Sequence, residues 1–226
     1  VGALAARGCA APSFVVFEGL DGSGKSTAAR RLAERTGAVY LTTPSPAVRA
    51  VRGAVVDSFQ GGQEAAQLFY LATVFDASRR ARAHLAAGRS VVLDRYLLST
   101  QAYAAFRGST LGLDELAARV LPADLTVFLD APLALRRARL AARGATAADR
   151  ETLSAEASAR LRAEHLARAT LPVIGAWLPL AVRGQPAEAI AAEVEAVVAG
   201  IAAAGIAAGS APGCPVGGGA RVGDGT

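Results

Sequence analysis

One segment near the N-terminus constrains the fold more than any other part of the sequence. An apolar run from Phe14 to Phe17 breaks at Glu18 and continues as Gly19-Leu20-Asp21-Gly22-Ser23-Gly24-Lys25-Ser26-Thr27. This matches G-x-x-x-x-G-K-[ST], the phosphate-binding P-loop. A strand must deliver such a loop and a helix must follow it, because the first-turn N–H groups and the helix dipole hold the phosphates. The sequence therefore predicts a strand over 14–17 and a helix over about 27–35.

The basic residues support a functional P-loop. Lys25 is the only lysine of the chain, and the remaining cationic side chains are arginines. A compact ammonium suits the space between β- and γ-phosphates in a tight loop better than a planar guanidinium does. We expect this side chain to be solvated in the free loop. The alternative is a glycine-rich turn that contains Lys and Ser by chance, and the flanking strand and helix patterns weigh against it.

Charge and length limit the possible functions. The chain has 226 residues, of which 52% are hydrophobic, and a formal net charge of +5. This predicts one globular domain with short appendages. The arginines gather at 79–82 and 136–150, without a long basic tail or an aromatic-interleaved stripe. We therefore expect a phosphate-rich site that binds small molecules, and no nucleic-acid partner.

We predict no functional residues in the terminal segments. The two cysteines, Cys9 and Cys214, lack metal-ligand spacing, which favours a reducing, cytoplasmic location. The alanine-rich stretch 187–208 is interrupted by three glutamates, and the uncharged piece that remains is too short to cross a bilayer, so we expect no membrane association. Composition predicts a disordered extension over 1–12 and a disordered Gly/Ala/Pro-rich tail over 204–226, with one P-loop domain over 13–203 between them.

Strand and helix patterns alternate through the domain. Apolar runs typical of strands occur at 14–17, 38–41, 90–96, 124–130 and 178–182, and helical patterns separate them. This alternation predicts an α/β fold of the P-loop NTPase type, an open parallel five-stranded sheet with helices on both faces. Ligands then bind beyond the carboxyl ends of the strands, where the P-loop, the 42–46 loop and Asp94-Arg95 are expected to lie.

Four further motifs follow the P-loop: Leu68-Phe69-Tyr70, Asp94-Arg95-Tyr96 with Ser99-Thr100-Gln101-Ala102-Tyr103, Pro122 to Asp130, and Arg139 to Gly144. With residues 17–27 they resemble the thymidylate kinase family over about Phe14 to Val198. The family transfers a phosphate from ATP, with Mg²⁺, to a deoxynucleoside monophosphate. The resemblance implies the same activity here, with dTMP as the acceptor and a role in nucleotide biosynthesis.

On the donor side, the resemblance implies that the P-loop holds the phosphates of ATP and that Ser26 binds Mg²⁺. Asp94 would act on the metal shell, Arg143 would lie on the adenine, and Arg139 and Arg150 would belong to a lid near 143–151. The implied catalytic residues are Lys25, Asp94, Arg95 and Arg139. The implied nucleotide-binding residues are Gly19, Gly22, Ser23, Gly24, Lys25, Ser26, Thr27 and Arg143.

On the acceptor side, the resemblance implies that Asp21 meets the sugar 3′-hydroxyl and that Phe69 stacks on the base. Arg95 would bridge the donor and acceptor phosphates. Tyr103 would pack where a ribose 2′-hydroxyl would project. Thr73 stands at the position that faces the base edge.

Two positions depart from the family pattern. The loop after the second strand is Arg-Glu-Pro in the family and Thr42-Thr43-Pro44 here, and the Arg that follows the stacking Phe by four residues is Thr73 here. A site built around such donors loses several kcal/mol without them, because the groups they bind are left unpaired. The donor half therefore matches the family pattern while the acceptor half is altered, with Arg49, Arg52 or Arg79 as candidate replacements.

Several side chains have a structural role as the alternative to a functional one. Asp130 also ends a strand, but the Ala-Pro that follows it favours an N-cap, so we assign the metal-side role to Asp94. Asp114 is expected to cap a short helix. Arg136, Arg139 and Arg143 share one helical face, which could simply be solvated. His84 and His165 lie in helical patterns and are expected to be ordinary surface or boundary residues.

The chemistry needs no histidine. A phosphate monoester is mostly a dianion at neutral pH and is already a nucleophile, so no general base is required. Two alternatives remain open: a kinase of the same fold that acts on another nucleotide, a nucleoside hydroxyl or a small metabolite, with Asp94 or Glu18 as base, and an ATP-binding switch that acts through a protein partner. An apolar helix face within 47–85 would suit a homodimer.

Overall fold

Five parallel strands form a single sheet in the computed structural model, which describes residues 11–204. The extensions expected at 1–12 and 204–226 lie almost entirely outside the described residues. The strands run in the order β2-β3-β1-β4-β5, and each neighbouring pair is parallel. Their bounds are β1 Phe14–Glu18, β2 Val39–Thr42, β3 Val91–Asp94, β4 Leu125–Asp130 and β5 Ala176–Ala181. The predicted fold class is confirmed.

Helices connect the strands and cover both faces of the sheet. They are α1 Lys25–Thr36, α2 Pro46–Ser58, α3 Gln63–Ala86, α4 Leu97–Phe106, α5 Leu133–Arg143, α6 Ala147–Arg150, α7 Ala155–Leu166 and α8 Ala187–Ala203, with 3₁₀ turns at Asp114–Arg119 and Pro172–Ile174. None of the helices among residues 11–204 is both long and apolar enough to cross a bilayer.

Alternating side chains of the strands divide the core into two layers. Phe14 and Val16 pack with α3 and α4 on one face, whereas Val15 and Phe17 pack with α1 and α8 on the other. Both layers follow from the period of two along a strand that is buried on both faces. The continuous apolar run of β1, which is typical of a fully buried strand, accordingly occupies the centre of the sheet.

The edge strand β5 departs from its predicted bounds. It begins at Ala176 rather than Leu178, and it contains Pro179. Proline cannot donate to a ladder, so a strand that contains it is tolerated at the edge of a sheet, where β5 lies.

Two acidic residues that were expected to cap helices have another role. The structure pairs Asp130 with Arg162 and Asp114 with Arg168. Neither side chain is a cap of the helix beside it, so the capping prediction is wrong for both. An arginine from α7 or from the segment after it supplies a stronger partner than a neighbouring backbone N–H.

The register brings the expected site residues to one edge. Phe17 and Thr42 both pair with Asp94, so the ends of β1, β2 and β3 lie side by side. The P-loop leaves β1 at this edge and Arg95 leaves β3 there. This is the carboxyl edge at which parallel sheets bind ligands.

A glycine before β5 supplies a stability test. Gly175 has φ +63°, and a Cβ there would collide with the carbonyl oxygen of Ala123, whereas Gly37 has φ +70° and open space around it. We expect Gly37→Ala to cost about 1–2 kcal/mol for the left-handed backbone alone. Gly175→Ala should cost about 1–3 kcal/mol more, because the collision forces a backbone shift. Urea unfolding of both variants measures the difference, and equal losses would contradict the steric explanation.

Candidate active site

The P-loop is folded as a cradle against β4 and α5. Gly19 has φ +138°, and a Cβ on it would lie 2.6 Å from the carbonyl oxygen of Leu129, so only glycine fits this close approach. Gly24 has φ +97° and precedes α1, whose N-terminus has no side-chain cap among the described residues. The first-turn N–H groups of the helix therefore remain available to a ligand, as an anion site requires.

Lys25 lies beneath this cradle. Its side chain is almost fully buried; Nζ donates to the carbonyl oxygen of Leu20 at 3.2 Å and lies 3.8 Å from Asp21 Oδ1. Burial and the nearby Arg95 lower the pKa of Lys25 to about 8. The expectation of a solvated lysine is therefore wrong, because the loop folds its lysine inward.

Asp21 is the meeting point of the phosphate loop and the segment after β3. Its carboxylate accepts hydrogen bonds from Arg95 Nη2 and, at 2.6 Å, from the Tyr103 hydroxyl. Burial by itself would raise the pKa of Asp21, but the cations Arg95 and Lys25 hold it well below its usual range. The Arg95 guanidinium also lies over the Tyr103 ring, 5.2 Å from its centroid. Three predicted acceptor-side residues are thus in direct contact.

Asp94 has one occupied and one free oxygen. Oδ2 accepts from the Tyr40 hydroxyl at 3.2 Å, whereas Oδ1 is buried with no hydrogen-bond partner among residues 11–204. Burial and the charge of Asp94 raise the pKa of Tyr40 to about 12, so the phenol remains a donor. Sequence analysis missed Tyr40. An aromatic residue in a short strand carries no signal that it will meet a carboxylate on the neighbouring strand.

The arginine row on α5 separates into three roles. Arg136 is fully buried, and its Nε donates to the Asp21 carbonyl oxygen at 2.7 Å while Nη1 donates to Ser158 Oγ at 2.7 Å. Arg139 Nη1 donates to the Ser23 carbonyl oxygen at 2.9 Å, directly on the P-loop. Arg143 is exposed and pairs with Asp149 at 2.6 Å. The row is therefore not a uniformly solvated face.

The segment expected to form a lid, 143–151, has its own local fold. It contains α6, whose capping box is formed by Thr146 and Asp149. Arg150 Nη1 donates to the Ala145 carbonyl oxygen at 2.7 Å within the same segment. Arg143, through Asp149, joins this segment to the end of α5.

The expected base-binding residues Phe69 and Thr73 lie on α3, which packs against α4. Phe69 is half-buried and lies edge-to-face with Phe59 and Tyr70, at ring-centroid distances of 6.4 and 5.3 Å. Thr73 is buried, and its hydroxyl donates to the Tyr70 carbonyl oxygen one turn earlier. Within the described residues, neither Phe69 nor Thr73 is in hydrogen-bond or aromatic contact with the Asp21, Arg95 and Tyr103 cluster.

Two glutamines that sequence analysis did not assign lie between the same helices. Gln67 Nε2 donates to Gln101 Oε1 at 2.5 Å, and both side chains are buried. Gln101 Nε2 is buried with no hydrogen-bond partner in the described part of the chain. A free buried amide donor between α3 and α4 is a group that a polar ligand edge could satisfy.

Glu18 is the alternative general base for a hydroxyl acceptor. It is fully buried, and its two oxygens accept from the backbone N–H groups of Tyr96 and Ser99 and from the Ser99 hydroxyl. Burial raises the pKa of Glu18. Its oxygens are engaged in the core, which disfavours a kinase that would use it as a base.

His165 is a core residue, contrary to the expectation of a surface or boundary position. It is fully buried on α7, its Nδ1 contacts the Leu161 carbonyl oxygen at 2.9 Å, and its ring lies between Tyr103 and Phe128. Burial lowers the pKa of His165 to about 3, so the ring is neutral in the folded protein. The His165 ring packs edge-to-face against the Tyr103 ring, with the two centroids 6.0 Å apart.

This burial makes stability depend on pH. In the unfolded chain His165 titrates near the ordinary histidine pKa of 6.5 and in the folded protein near 3, so below pH 6.5 the unfolded state binds the extra proton. Stability is therefore lost as the pH falls, by up to about 1.4 kcal/mol per pH unit from this group. In urea unfolding at about pH 7.5 and 5.5, wild type should lose about 1 kcal/mol more than His165→Phe does. Parallel losses would show that His165 does not titrate in this way.

A glycine cradle on a parallel sheet, a buried lysine beneath it and converging arginines define a P-loop protein of the kind that binds nucleotide phosphates. The family model described as thymidylate kinase matches residues 17–180. The chain belongs to the thymidylate kinase family.

Individual relatives agree with this assignment. The thymidylate kinase of Solidesulfovibrio magneticus is 38% identical over 168 residues, which cover 68% of this chain and 78% of that protein. Among solved structures, thymidylate kinase from Ehrlichia chaffeensis matches with a TM-score of 0.62 at 21% identity, covering 83% of this chain and 98% of that chain. The Candida albicans thymidylate kinase matches at 0.64 and 20% identity, covering 84% and 92%. These two structures support the fold.

Proposed function

We propose that the chain transfers the γ-phosphate of ATP to dTMP, giving ADP and dTDP. The observation that carries the proposal is the joining of the phosphate cradle to the Asp21–Arg95–Tyr103 cluster at one sheet edge. In such a site an acceptor phosphate oxygen bonds to the γ-phosphorus while the bond to the β–γ bridging oxygen breaks. Since the acceptor is mostly a dianion at neutral pH, positioning and charge neutralisation supply the catalysis.

The cationic residues have distinct roles in this proposal. Lys25 neutralises charge on the donor phosphates. The phosphates in turn favour the protonated form of Lys25 over the neutral amine. Arg95 lies between the two halves and contacts the acceptor phosphate. Arg139, whose guanidinium lies on the P-loop carbonyls, is within the donor half. Asp21 and Tyr103 contact the sugar, and Phe69 stacks on the base.

The residues present fit a Mg²⁺ ion. Asp94 Oδ1 is buried without a partner among the described residues, and a carboxylate oxygen is the ligand that Mg²⁺ prefers. Residues 11–204 contain no group of three His, Cys, Asp or Glu side chains able to hold a metal alone, which is compatible with binding through one carboxylate and substrate phosphates. Asp94 and Ser26 would hold the ion. When bound, Mg²⁺ supplies neutralisation of phosphate charge.

We also propose a homodimer. Exposed apolar side chains lie on α2 and α3, namely Val51, Leu68 and Phe75, which are 55%, 51% and 37% exposed. The helix α2, all of which is described, has no buried residue of its own in the single chain. A second copy packed on α2 and α3 would cover this surface.

A panel of acceptors tests the activity. ADP release is measured with ATP and Mg²⁺ for dTMP, dUMP, dCMP, dGMP, UMP and CMP, and dTMP should give the highest specificity constant. Lys25→Ala should lower turnover about a hundredfold or more, because it removes a preorganised charge from the transferred group. Near-normal turnover in Lys25→Ala with an unchanged melting temperature would contradict the P-loop assignment. A higher specificity constant for another monophosphate would contradict dTMP as the acceptor.

Arg49 is our candidate for the missing acceptor-phosphate donor. Its Nη2 donates to Thr42 Oγ1 at 2.8 Å and, at 3.4 Å, to the Pro44 carbonyl oxygen, which are neutral groups at the end of β2 and in the loop that follows it. Arg79, by contrast, pairs with Asp76 at 2.8 Å. An arginine that is held by neutral oxygens at the carboxyl edge keeps its charge available to a phosphate.

The role of Arg49 predicts a selective kinetic effect. Arg49→Ala should raise the KM for dTMP by about 10–100-fold, as expected for one charge-assisted hydrogen bond of about 1.5–3 kcal/mol, and leave the KM for ATP within about twofold. Arg31→Ala, which removes an exposed arginine paired with Glu34 on α1, is the matched control. A loss in Arg52→Ala but not in Arg49→Ala would assign the role to the other arginine of α2.

A further inference from the structure

Arg95 occupies a backbone conformation that needs external support. Its φ is +68°, in the left-handed region that non-glycine residues seldom adopt. The cost of this conformation shows that the surroundings of Arg95 must hold it in place. Its N–H donates to the Phe17 carbonyl oxygen at 3.0 Å, so the turn is tied to the end of β1.

Glu18, the last residue of β1, holds the segment that follows. Its Oε1 accepts from the N–H groups of Tyr96 and Ser99 at 2.9 and 3.2 Å, and its side chain is fully buried. The helix α4, which begins at Leu97, has no side-chain cap from its own N-cap residue, Tyr96. Glu18 therefore caps α4 from another element and satisfies first-turn N–H groups that would otherwise lack partners.

Ser99 extends this contact to the guanidinium. The Ser99 hydroxyl donates to Glu18 Oε2, and Arg95 Nη1 donates to Ser99 Oγ at 3.1 Å. A hydroxyl has one hydrogen, and an arginine can only donate, so the hydrogen of Ser99 must point to Glu18 while its lone pair faces Arg95. The order of donors along Arg95, Ser99 and Glu18 is thereby fixed.

The guanidinium is held at two separate nitrogens. Nη1 is bound to Ser99 and Nη2 to Asp21, with the Tyr103 ring beneath. Removal of either contact leaves the arginine able to pivot about the other. A phosphate dianion is recognised best by a guanidinium presented in one orientation, and fixing such a side chain before binding avoids the entropy cost of ordering it on the ligand.

We infer that Glu18 and Ser99 are positioning residues that orient Arg95 toward the phosphate of the acceptor. The inference rests on the proposed function. A purely structural role for Glu18, as cap of α4, predicts a different outcome, because Ser99→Ala keeps both backbone hydrogen bonds to Glu18 and removes only the hydroxyl that links Glu18 Oε2 to Arg95.

Affinity for an acceptor and for its unphosphorylated nucleoside separates the two roles. Dissociation constants of dTMP and thymidine are measured by calorimetry for wild type, Ser99→Ala and Thr126→Val. Thr126→Val is the matched control: it removes a buried hydroxyl that donates to the Ile174 carbonyl oxygen, away from the site. The ratio of the thymidine constant to the dTMP constant reports the contribution of the phosphate alone.

Ser99→Ala should lower this ratio about 3–10-fold, the effect expected when one long side chain must be ordered on binding, with thymidine affinity and melting temperature close to those of Thr126→Val. In an Arg95→Ala background, adding Ser99→Ala should leave the ratio unchanged, because the coupled partner is already gone. An unchanged ratio in the single variant would overturn the inference. This includes the case in which thymidine and dTMP binding are weakened equally.

The same measurements distinguish a failure of this inference from a failure of the function on which it rests. If wild type prefers another monophosphate in the acceptor panel, the ratio is measured with that nucleotide and its nucleoside, and the prediction for Ser99→Ala is unchanged. If wild type binds no monophosphate more tightly than its nucleoside, the proposed function and the inference both fail. If wild type binds a monophosphate more tightly than its nucleoside but Ser99→Ala has the wild-type ratio, only the inference fails.

Discussion

Asp21 is the interaction centre on which the rest of the site depends. Its side chain contacts Arg95, Tyr103 and, at 3.8 Å, Lys25, while its carbonyl oxygen accepts from Arg136. One residue of the phosphate loop thus links the segment after β3, the helix α4 and the helix α5. Because the opposite charges lie close together with little access to water, each pair is stronger than on the surface and more costly to break.

The site concentrates unpaired polar groups where ligands are expected. Within residues 11–204, the oxygens Asp94 Oδ1, Ser23 Oγ and Thr43 Oγ1 are buried without hydrogen-bond partners, and all three lie in or beside the loops at the carboxyl edge. Such groups are costly in a folded protein, so their presence is explained if a ligand satisfies them. The same edge holds Arg49 and Arg139 on neutral oxygens, which leaves their charge for phosphates.

The proposed donor and acceptor halves of the site differ in how many separate elements of the fold form them. The cradle is made by consecutive residues between β1 and α1, so its geometry follows from glycine torsion angles and one helix N-terminus. The acceptor half that we propose combines residues of α2, α3, α4 and the loop after β2. A lost arginine can therefore be replaced from another element, as we propose for Arg49, whereas a residue of the cradle has no such substitute.

Local sequence patterns were enough to predict the succession of strands and helices, the parallel sheet and the P-loop, because period-two and helical patterns and a fixed loop spacing are local properties. They also placed Asp94 and Arg95 at the site edge. Tertiary packing alone determines that Glu18 binds Ser99, 81 residues away, and that Tyr40 meets Asp94. Packing likewise buries Arg136 while Arg143, on the same predicted face, is exposed, and it places His165 in the core. These outcomes depend on how elements pack against one another, and local spacing carries no information about a partner from a distant element.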